Sequence, residues 1–342
     1  MTPMGMKRKY GSRRNDSAQR SIMFDFGDEI EGDEPDGEAR SIDELNRDRE
    51  RSRQALAAEV ERRQTLRFIS LGSGSSGNCS YIGSDTEGVL VDAGIDSVKT
   101  FEWLADNGVT PAMVKGIILT HDHGDHVRYA YIIARRYKHI RIYCTPKTLK
   151  GILCRHSISH RIKEVHQPIF KEIPFTLAGM KITAFEVSHD GFDNSGFMLE
   201  SGTQRFVVAT DMGVVTARAE HYMAQADYLM IEANYDARML EEGHYPEFLK
   251  NRVRADNGHL DNKAAAEFVA GHYTAALKYV FLCHLSHDNN TPETALREVR
   301  SALEAKGVSV GSGDGSLSEL DKDVQVVALP RFEPSRLFVL RK

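Results

Sequence analysis

A dense run of histidine and aspartate follows a short apolar segment in this chain. The residues before Thr120 read GIIL, which is typical of a buried β-strand, so the run that begins at Thr120 is predicted to be a loop at the strand end. In such a loop His121 and His123 can face one point, while Asp125 and His126 face a second point beside it. Imidazole and carboxylate are ligands that zinc and related divalent ions prefer, so the run predicts two metal ions in one site. The alternative is a histidine-rich surface loop that binds metal weakly.

Further candidate ligands occur downstream at similar positions. His189, Asp211 and His284 each follow a short apolar run that is predicted to be a strand. Together with Val91-Asp92-Ala93-Gly94 upstream, these residues and the HxHxDH run resemble the metallo-β-lactamase superfamily. The resemblance implies a metal-dependent hydrolase with a four-layer αββα sandwich.

Longer stretches resemble one branch of that superfamily, the YycJ/WalJ branch. They are Ser73 to Cys79, Tyr245-Pro246 with Leu249-Lys250, Gly258-His259-Leu260, and His284-Leu285-Ser286 with Asn289-Asn290. Bacterial members of the branch are regarded as DNA exonucleases that work from 5′ ends. The resemblance covers residues 66–303 and implies a 5′-to-3′ exodeoxyribonuclease with DNA as its substrate.

The resemblance also assigns the metal ligands, with Asp211 as the bridge between two ions. The others are His121, His123 and His189 for the first ion, and Asp125, His126 and His284 for the second. Two cations about 3.5 to 4 Å apart can share a water, lower its pKa toward about 7, and clamp the attacking and leaving oxygens of a phosphodiester. A hydroxide that bridges the ions is therefore the expected nucleophile. Zinc, manganese and iron all accept these ligands.

His259 is predicted to be catalytic together with Asp211. It resembles the histidine that relatives acting on nucleic acid place over the scissile phosphate. A histidine, with an ordinary pKa of about 6.5, can pair with a phosphate oxygen or protonate the leaving alkoxide. Asp261 stands where the family pattern has a small hydroxyl residue, which leaves the detailed loop geometry open.

Candidate substrate contacts are polar or basic residues near the predicted ligands. They are Ser73, Ser75, Ser76 and Asn78 in a Gly-rich loop, Lys250 and Arg252 in a basic cluster, and Ser286 and Asn290 after His284. A Gly-rich loop can offer N–H groups and hydroxyls to phosphate, and basic side chains can follow a DNA backbone without reading its sequence. The alternatives are an ordinary tight turn for the loop and a solvated helix face for the basic cluster.

The order of predicted elements indicates an α/β fold. Two β-rich halves are each followed by helices, which predicts two sheets packed face to face with helices outside. A single catalytic domain is predicted over residues 65–342. Its predicted helices include residues 97–107, 126–137, 217–223 and 262–272.

The first 64 residues differ from the rest in composition. A basic head is followed by an acidic block, with few apolar residues between them, so residues 1–64 are predicted to be a disordered, charged extension. Within it, Ser41 to Gln64 read as a charged helix with Ser41 as N-cap. The extension is interpreted as solvated chain or as a tether to nucleic acid.

Composition limits the remaining classes. The formal net charge of −5 means that any contact with DNA must come from a local patch. No apolar span reaches transmembrane length and no signal peptide pattern is present, so a soluble, cytoplasmic protein is expected. The four cysteines lack CxxC spacing and are predicted to be buried and reduced.

Two other functions stay open at this level. The same metal pair could hydrolyse a small substrate such as a cyclic nucleotide, a thioester or a lactone, because a fold does not fix a substrate. Alternatively, the basic N-terminal head could make the chain a nucleic-acid-binding adaptor. Oligomeric state cannot be read from these residues.

Overall fold

A computed structural model describes residues 47–54, 65–316, 319 and 321–341. The chain divides into two units, Met1–Arg51 and Ser52–Lys342. Residues 47–54 are helical with exposed side chains, within the stretch predicted to be a charged helix. The predicted disorder of residues 1–40 and the predicted N-cap at Ser41 lie outside the described residues.

The first sheet has seven strands in the described part of the chain, in the order β15-β1-β2-β3-β4-β5-β6. These strands are β1 Leu66–Gly72, β2 Cys79–Gly83, β3 Gly88–Val91, β4 Val114–Ile118, β5 Arg141–Cys144, β6 His166–Pro168 and β15 Phe338–Leu340. Strands β3 to β6 run parallel, whereas β15, β1, β2 and β3 pair antiparallel. The carboxyl ends of β3 and β4 therefore lie side by side.

The second sheet has eight strands in the same described ranges, in the order β13-β14-β12-β11-β10-β9-β8-β7. They are β7 Phe175–Leu177, β8 Met180–Glu186, β9 Ser195–Ser201, β10 Gln204–Ala209, β11 Tyr228–Glu232, β12 Tyr279–Cys283, β13 Val310–Gly311 and β14 Val324–Ala328. Parallel pairing of β10, β11 and β12 places their carboxyl ends at one edge.

Helices follow the strands on the outer faces. They are α1 Ser97–Asp106, α2 Gly124–Val127, α3 Ala130–Arg136, α4 Pro146–Arg155, α5 Ala217–Met223, α6 Ala237–Glu242, α7 Glu247–Arg254, α8 Asn262–Gly271 and α9 Pro292–Glu304. Single 3₁₀ turns occur at Pro111–Met113 and His160–Glu164. No described helix is long and apolar enough to cross a membrane.

Aromatic side chains fill the space between the two sheets. The ring of Phe68 on β1 lies 4.5 Å from that of Phe281 on β12 and 4.9 Å from that of Phe206 on β10. All three side chains are fully buried. Separate apolar clusters pack helices against each outer face, for example Ile133 of α3 in one and Val299 of α9 in the other. The predicted αββα sandwich is confirmed by this layering.

Two predictions about local structure need correction. The helix predicted over residues 126–137 is interrupted between α2 and α3, because the backbone N–H of Tyr129 donates to the carbonyl of Ala93 at 2.9 Å. The four cysteines were predicted to be buried, but Cys154 near the end of α4 is exposed while the other three are buried. Apolar neighbours in sequence do not reveal which side of a short helix faces solvent.

Candidate metal centre

The site lies where strand ends of both sheets meet. The loop after β4 supplies His121 to His126, and Asp211 and His284 directly follow β10 and β12. Backbone φ is 52° at Asp211 and 55° at His284, and Asp92 after β3 has φ of 61°. Positive φ is costly for residues with a Cβ and persists where surrounding structure enforces it, most often at functional sites.

The structure brings the seven predicted ligands together with two further residues, Glu232 and His259. Candidate ligand atoms lie within 4.8 Å of one another in four overlapping groups: His121, His123 and His189; His121, His126 and Asp211; Asp125, His126 and His284; and Asp211, Glu232, His259 and His284. The Nε2 atoms of His121 and His284 are buried, and neither has a hydrogen-bond partner among the described residues. Buried polar atoms normally have partners, so these orphaned nitrogens fit coordination of divalent metal.

His126 is oriented by the aspartate of the Val-Asp-Ala-Gly stretch. Its Nδ1 lies 2.8 Å from Oδ2 of Asp92, and Asp92 also accepts hydrogen bonds from the backbone N–H of Thr120 at 2.8 Å and from the Thr120 hydroxyl. The opposite ring nitrogen, Nε2, lies 3.4 Å from Oδ2 of Asp211. A carboxylate on the far nitrogen fixes the tautomer and the direction of a metal-binding histidine.

Glu232, which was not among the predicted site residues, does the same for His284. Its Oε1 lies 3.1 Å from Nδ1 of His284, and its Oε2 accepts the backbone N–H of Met212 at 2.7 Å. Glu232 is fully buried at the end of β11. Its sequence signal was a carboxylate closing the apolar run YLMI, the same pattern that marks Asp92 after GVLV.

His259 shares the same glutamate. Its Nδ1 lies 2.7 Å from Oε1 of Glu232 and 4.0 Å from Oδ1 of Asp211. The Asp261 side chain caps α8 by accepting the N–H of Ala264 at 2.8 Å. Aspartate is as good an N-cap as a small hydroxyl residue, so the departure from the family pattern leaves the helix start intact.

His189 and His123 face each other on the opposite side of Asp211. The Nδ1 of His189 is 2.8 Å from the carbonyl of Gly258, which turns its Nε2 inward to lie 3.8 Å from Oδ1 of Asp211 and 3.3 Å from Nδ1 of His123. The Nε2 of His123 lies 3.3 Å from Oδ1 of Asp190. The loop that carries His259 therefore also holds His189.

The electrostatics divide the histidines into two kinds. Burial lowers the pKa of His121 well below its usual range and that of His123 to about 4, so both rings are neutral and their lone pairs are free for metal. Burial also opposes protonation of His126, but the carboxylates of Asp211 and Asp92 outweigh it and raise the pKa to about 9. Burial likewise opposes ionisation of Asp211, yet the surrounding histidines, first His284 and then His126, hold its pKa well below the usual range.

The Gly-rich loop has two kinds of polar side chain. Ser75 and Ser76 are exposed. Ser73 is buried and accepts the backbone N–H of His284 at 2.8 Å. Asn78 is buried with its Nδ2 3.2 Å from Oδ2 of Asp125 and 2.9 Å from Nε2 of His126. These contacts make Ser73 and Asn78 supports of the ligands and leave the two exposed serines open to a substrate.

The predicted basic cluster is largely neutralised by partners. The Lys250 ammonium is buried and donates to the carbonyl of Glu241, and Arg252 donates to Oδ2 of Asp190 at 2.8 Å. Arg254 pairs with Glu241 and Glu247. Glu241 and Asp190 lie outside α7, so charge spacing along the helix gave no sign of the contacts that they make.

The two candidates that follow His284 differ from each other. The Asn290 amide is buried and bonded to Asn262 and to the carbonyl of Ala233. The Ser286 hydroxyl accepts the N–H of Asn289 at 3.2 Å. Asn290 therefore ties α8 to the loop that carries His284, and Ser286 shapes that loop.

Comparison with known proteins gives the family. A sequence model described as the beta-lactamase superfamily domain matches residues 88–284. The chain is 32% identical over 252 residues to exodeoxyribonuclease YycJ of Bacillus anthracis, covering 72% of this chain and 92% of that protein. It is 31% identical over 247 residues to exodeoxyribonuclease WalJ of Streptococcus pneumoniae, covering 72% and 91% respectively.

Solved structures agree on the fold. The metallo-beta-lactamase fold protein YhfI from Bacillus subtilis aligns with a TM-score of 0.57 at 15% identity, over 81% of this chain and 100% of that one. Zn²⁺-bound PqqB from Methylobacterium extorquens aligns with a TM-score of 0.57 at 16% identity, over 79% and 99%. The family match, the identity to YycJ and WalJ and the shared fold together show what this chain is. It belongs to the YycJ/WalJ branch of the metallo-β-lactamase superfamily and is a metal-dependent hydrolase.

Proposed function

We propose that this protein is an exodeoxyribonuclease that degrades DNA in the 5′-to-3′ direction. Its similarity to YycJ and WalJ, named exodeoxyribonucleases, extends over nine-tenths of their length. The observation that carries the proposal is the position of His259, whose Nδ1 is 2.7 Å from Glu232 and 4.0 Å from Asp211. A histidine held beside a metal-binding carboxylate can serve a phosphate oxygen or a leaving group.

Two divalent ions, zinc or manganese with iron as a further possibility, would be held by the ligand set described above. His121, His123 and His189 would hold one ion, Asp125, His126 and His284 the other, and Asp211 would contact both. When bound, such ions lower the pKa of a water and offset charge on phosphoryl oxygens. The buried, orphaned nitrogens of His121 and His284 support this arrangement.

Glu232 and His259 are proposed to carry out the proton transfer to the leaving group. Glu232 is held ionised, because the histidines His259 and His284 together outweigh the effect of its burial and lower its pKa. An ionised Glu232 accepts a hydrogen bond from the Nδ1–H of His259. The other ring nitrogen, Nε2, is then the one that can serve the substrate. From that position a protonated His259 gives its proton to the departing oxygen of the phosphodiester.

A second candidate is hydrolysis of a small substrate by the same centre. One observation bears on it: a cleft of about 560 Å³ is lined by Leu285, the residue that follows His284 in the sequence, and by none of the candidate ligands. Its largely apolar lining also includes Pro292, Leu329, Pro330 and Phe332. Apolar clefts with a few polar groups are typical binding sites for small ligands.

Digestion of labelled linear duplex DNA separates these functions. The purified protein would be given manganese and duplexes labelled at either the 5′ or the 3′ end, beside variants Asp211→Ala and Asp106→Ala. Asp106 is an exposed aspartate at the end of α1 and serves as the matched control. The proposal expects early release of the 5′ label by the native protein and the control, and none by Asp211→Ala.

Each contrary result has a distinct meaning. Early release of the 3′ label would overturn the polarity and keep the exonuclease. Intact DNA with a metal-loaded native protein would overturn the DNA assignment, and the small-substrate hydrolase would take its place. If Asp211→Ala cut DNA as fast as the native protein, the metal centre would not be the site of the reaction.

A further inference from the structure

A chain with net charge −5 needs a local cationic surface to hold DNA, and helix α4 offers one. Between Pro146 and His166 the sequence carries five lysines and arginines and one acidic residue, Glu164. Glu164 is paired with Arg161. Arg155 is paired with Asp122, which leaves Lys147, Lys150 and Lys163 without an acidic partner among the described residues.

Helix α4 packs directly against the loops that carry metal ligands. A Cβ at Gly151 would lie 2.5 Å from Oδ2 of Asp122 and 2.7 Å from Cβ of Phe192. Asp122 stands between His121 and His123, and Phe192 lies in the loop after His189. Only a residue without a side chain permits this approach, so the surface of α4 is fixed next to the centre.

Arg155 connects the helix to both loops. Its Nε lies 3.3 Å from Oδ2 of buried Asp122, and its Nη2 donates to the carbonyl of Asp190 at 3.3 Å. The backbone N–H of Phe192 donates to the other oxygen of Asp122 at 2.7 Å. These contacts hold Phe192 at the surface, where its side chain is 44% exposed.

The lysines of α4 differ from the cations of α7 in being available. Lys147 and Lys150 are exposed, and neither forms an ion pair with any described residue. The Nζ of Lys150 lies 5.8 Å from the ring centroid of Phe192, and Cζ of Arg155 lies 5.5 Å from it. An exposed aromatic ring beside exposed, unpaired lysines combines the two elements that hold single-stranded nucleic acid, charge for the backbone and a ring for the bases.

We propose that Lys147, Lys150, Arg155 and Phe192, here called the α4 basic face, bind the DNA strand that enters the metal centre. The lysines neutralise phosphates, and Phe192 stacks on a base near the strand end. The face lies beside the ligands His121, His123 and His189, so it directs the strand across that side of the centre. This proposal rests on the proposed exonuclease function and adds where the substrate lies.

The test of the charges is DNA binding as a function of salt. Fluorescence anisotropy would follow binding of the metal-loaded protein to a labelled duplex with a single-stranded 5′ end, whose phosphorothioate linkages resist cutting. Each phosphate contact contributes about 0.7 to 0.9 to the slope of log Kd against log salt. The double variant Lys147→Glu/Lys150→Glu is expected to lower the slope by about 1.5 to 2 and to weaken binding at least about 10-fold at moderate salt.

Matched controls show that the loss is local. Lys306→Glu changes an exposed lysine just after the C-cap of α9 that forms no ion pair with a described residue, and this variant is expected to bind like the native protein. Hydrolysis of bis(p-nitrophenyl) phosphate, which reaches the centre without the α4 basic face, should be unchanged in all three proteins. On DNA, the double variant should show a raised KM with kcat retained.

The aromatic ring is tested separately. Phe192→Leu should weaken binding of single-stranded DNA by about 5-fold or more without changing the salt slope, and Phe192→Tyr should bind like the native protein. Native-like Kd and slope in the double variant, while the native protein binds and cuts DNA, would overturn the α4 basic face alone. Absence of both binding and cutting by the native protein would overturn the proposed function, and the face with it.

Discussion

Glu232 lies between two histidines of the centre, His259 and His284. It lies 2.7 Å from His259 and 3.1 Å from His284, so one carboxylate orients both a predicted ligand and a predicted proton donor. Removing its charge is expected to affect metal binding and the proton step together, whereas changing His259 should affect the proton step alone.

Steady-state kinetics and metal analysis can separate these roles. His259→Ala should lower kcat by about 10²- to 10⁴-fold with native metal content. Glu232→Gln should lower kcat and also weaken metal affinity by about 10- to 100-fold, because His284 loses its orienting carboxylate. Native metal affinity in Glu232→Gln would contradict the role assigned to this residue.

Proton release on metal loading reports the raised pKa of His126. In the metal-free protein its pKa is about 9, so the ring carries a proton at pH 7 that a metal ion must displace. Calorimetry at pH 7 in buffers of different ionisation enthalpy should show release of at least about one proton, declining as the pH passes 9. Heats that do not depend on the buffer would contradict this.

The same shift affects the stability of the metal-free protein. A pKa raised in the folded state stabilises the fold below the unfolded value of about 6.5, and the contribution is lost as pH rises through about 9. Chemical unfolding of chelated protein should therefore show decreasing stability across that interval, and His126→Gln should flatten the change.

At the scale of elements, the loops at the strand ends are locked by close backbone contacts. The N–H of Gly94 donates to the carbonyl of Asn78 at 2.8 Å, and the N–H of Asn78 donates to the carbonyl of Asp125 at 2.8 Å. A Cβ at Gly94 would lie 1.6 Å from the oxygen of Asp125, which leaves no room for any other residue.

Alanine at Gly94 should consequently displace the loop that carries Asp125. Gly94→Ala is expected to lower the unfolding temperature of the metal-free protein and to reduce metal content. Gly271→Ala is the matched control, since nothing lies within 4 Å of its added Cβ at the end of α8. The control should be neutral or stabilising by up to about 1 kcal/mol. Equal behaviour of the two variants in thermal unfolding and metal analysis would contradict the close contact.

Sequence patterns predicted structure correctly where the residues of a single strand or helix determine it. Strand ends followed by His and Asp predicted residues that the fold brings together in one centre, and α5 was predicted with its observed bounds, Ala217–Met223. Contacts between distant segments could not be predicted in this way. The partners of Lys250 and Arg252 are Glu241 and Asp190, and the charge of α4 was inconspicuous because its basic residues are separated by uncharged ones.

At the scale of the molecule, the centre joins the two sheets. His121, His123, Asp125 and His126 come from the loop after β4 of the first sheet, whereas His189, Asp211 and His284 follow strands of the second. Ions bound between them would cross-link the sheets in the folded state only, and a ligand that binds only the folded state stabilises it.

Chelation should therefore destabilise the fold as well as stop the reaction. At a free metal concentration 100 times Kd the stabilisation is about 2.7 kcal/mol, so the unfolding temperature should rise with added zinc or manganese and fall with chelator. Asp211→Ala should show a much smaller response. An unfolding temperature that does not depend on metal in the native protein would contradict coordination across the sheets.

The left-handed backbone at Asp92, Asp211 and His284 has an evolutionary consequence. Each position holds a side chain where glycine would be less strained, at a cost of about 1 to 2 kcal/mol per residue. Backbone strain alone would therefore favour glycine at these three positions, and the buried contacts of the three side chains oppose it. In a related chain that keeps the fold, glycine at the three corresponding strand ends would relieve the strain and remove these contacts, so it would mark a protein whose strand ends no longer serve a metal centre.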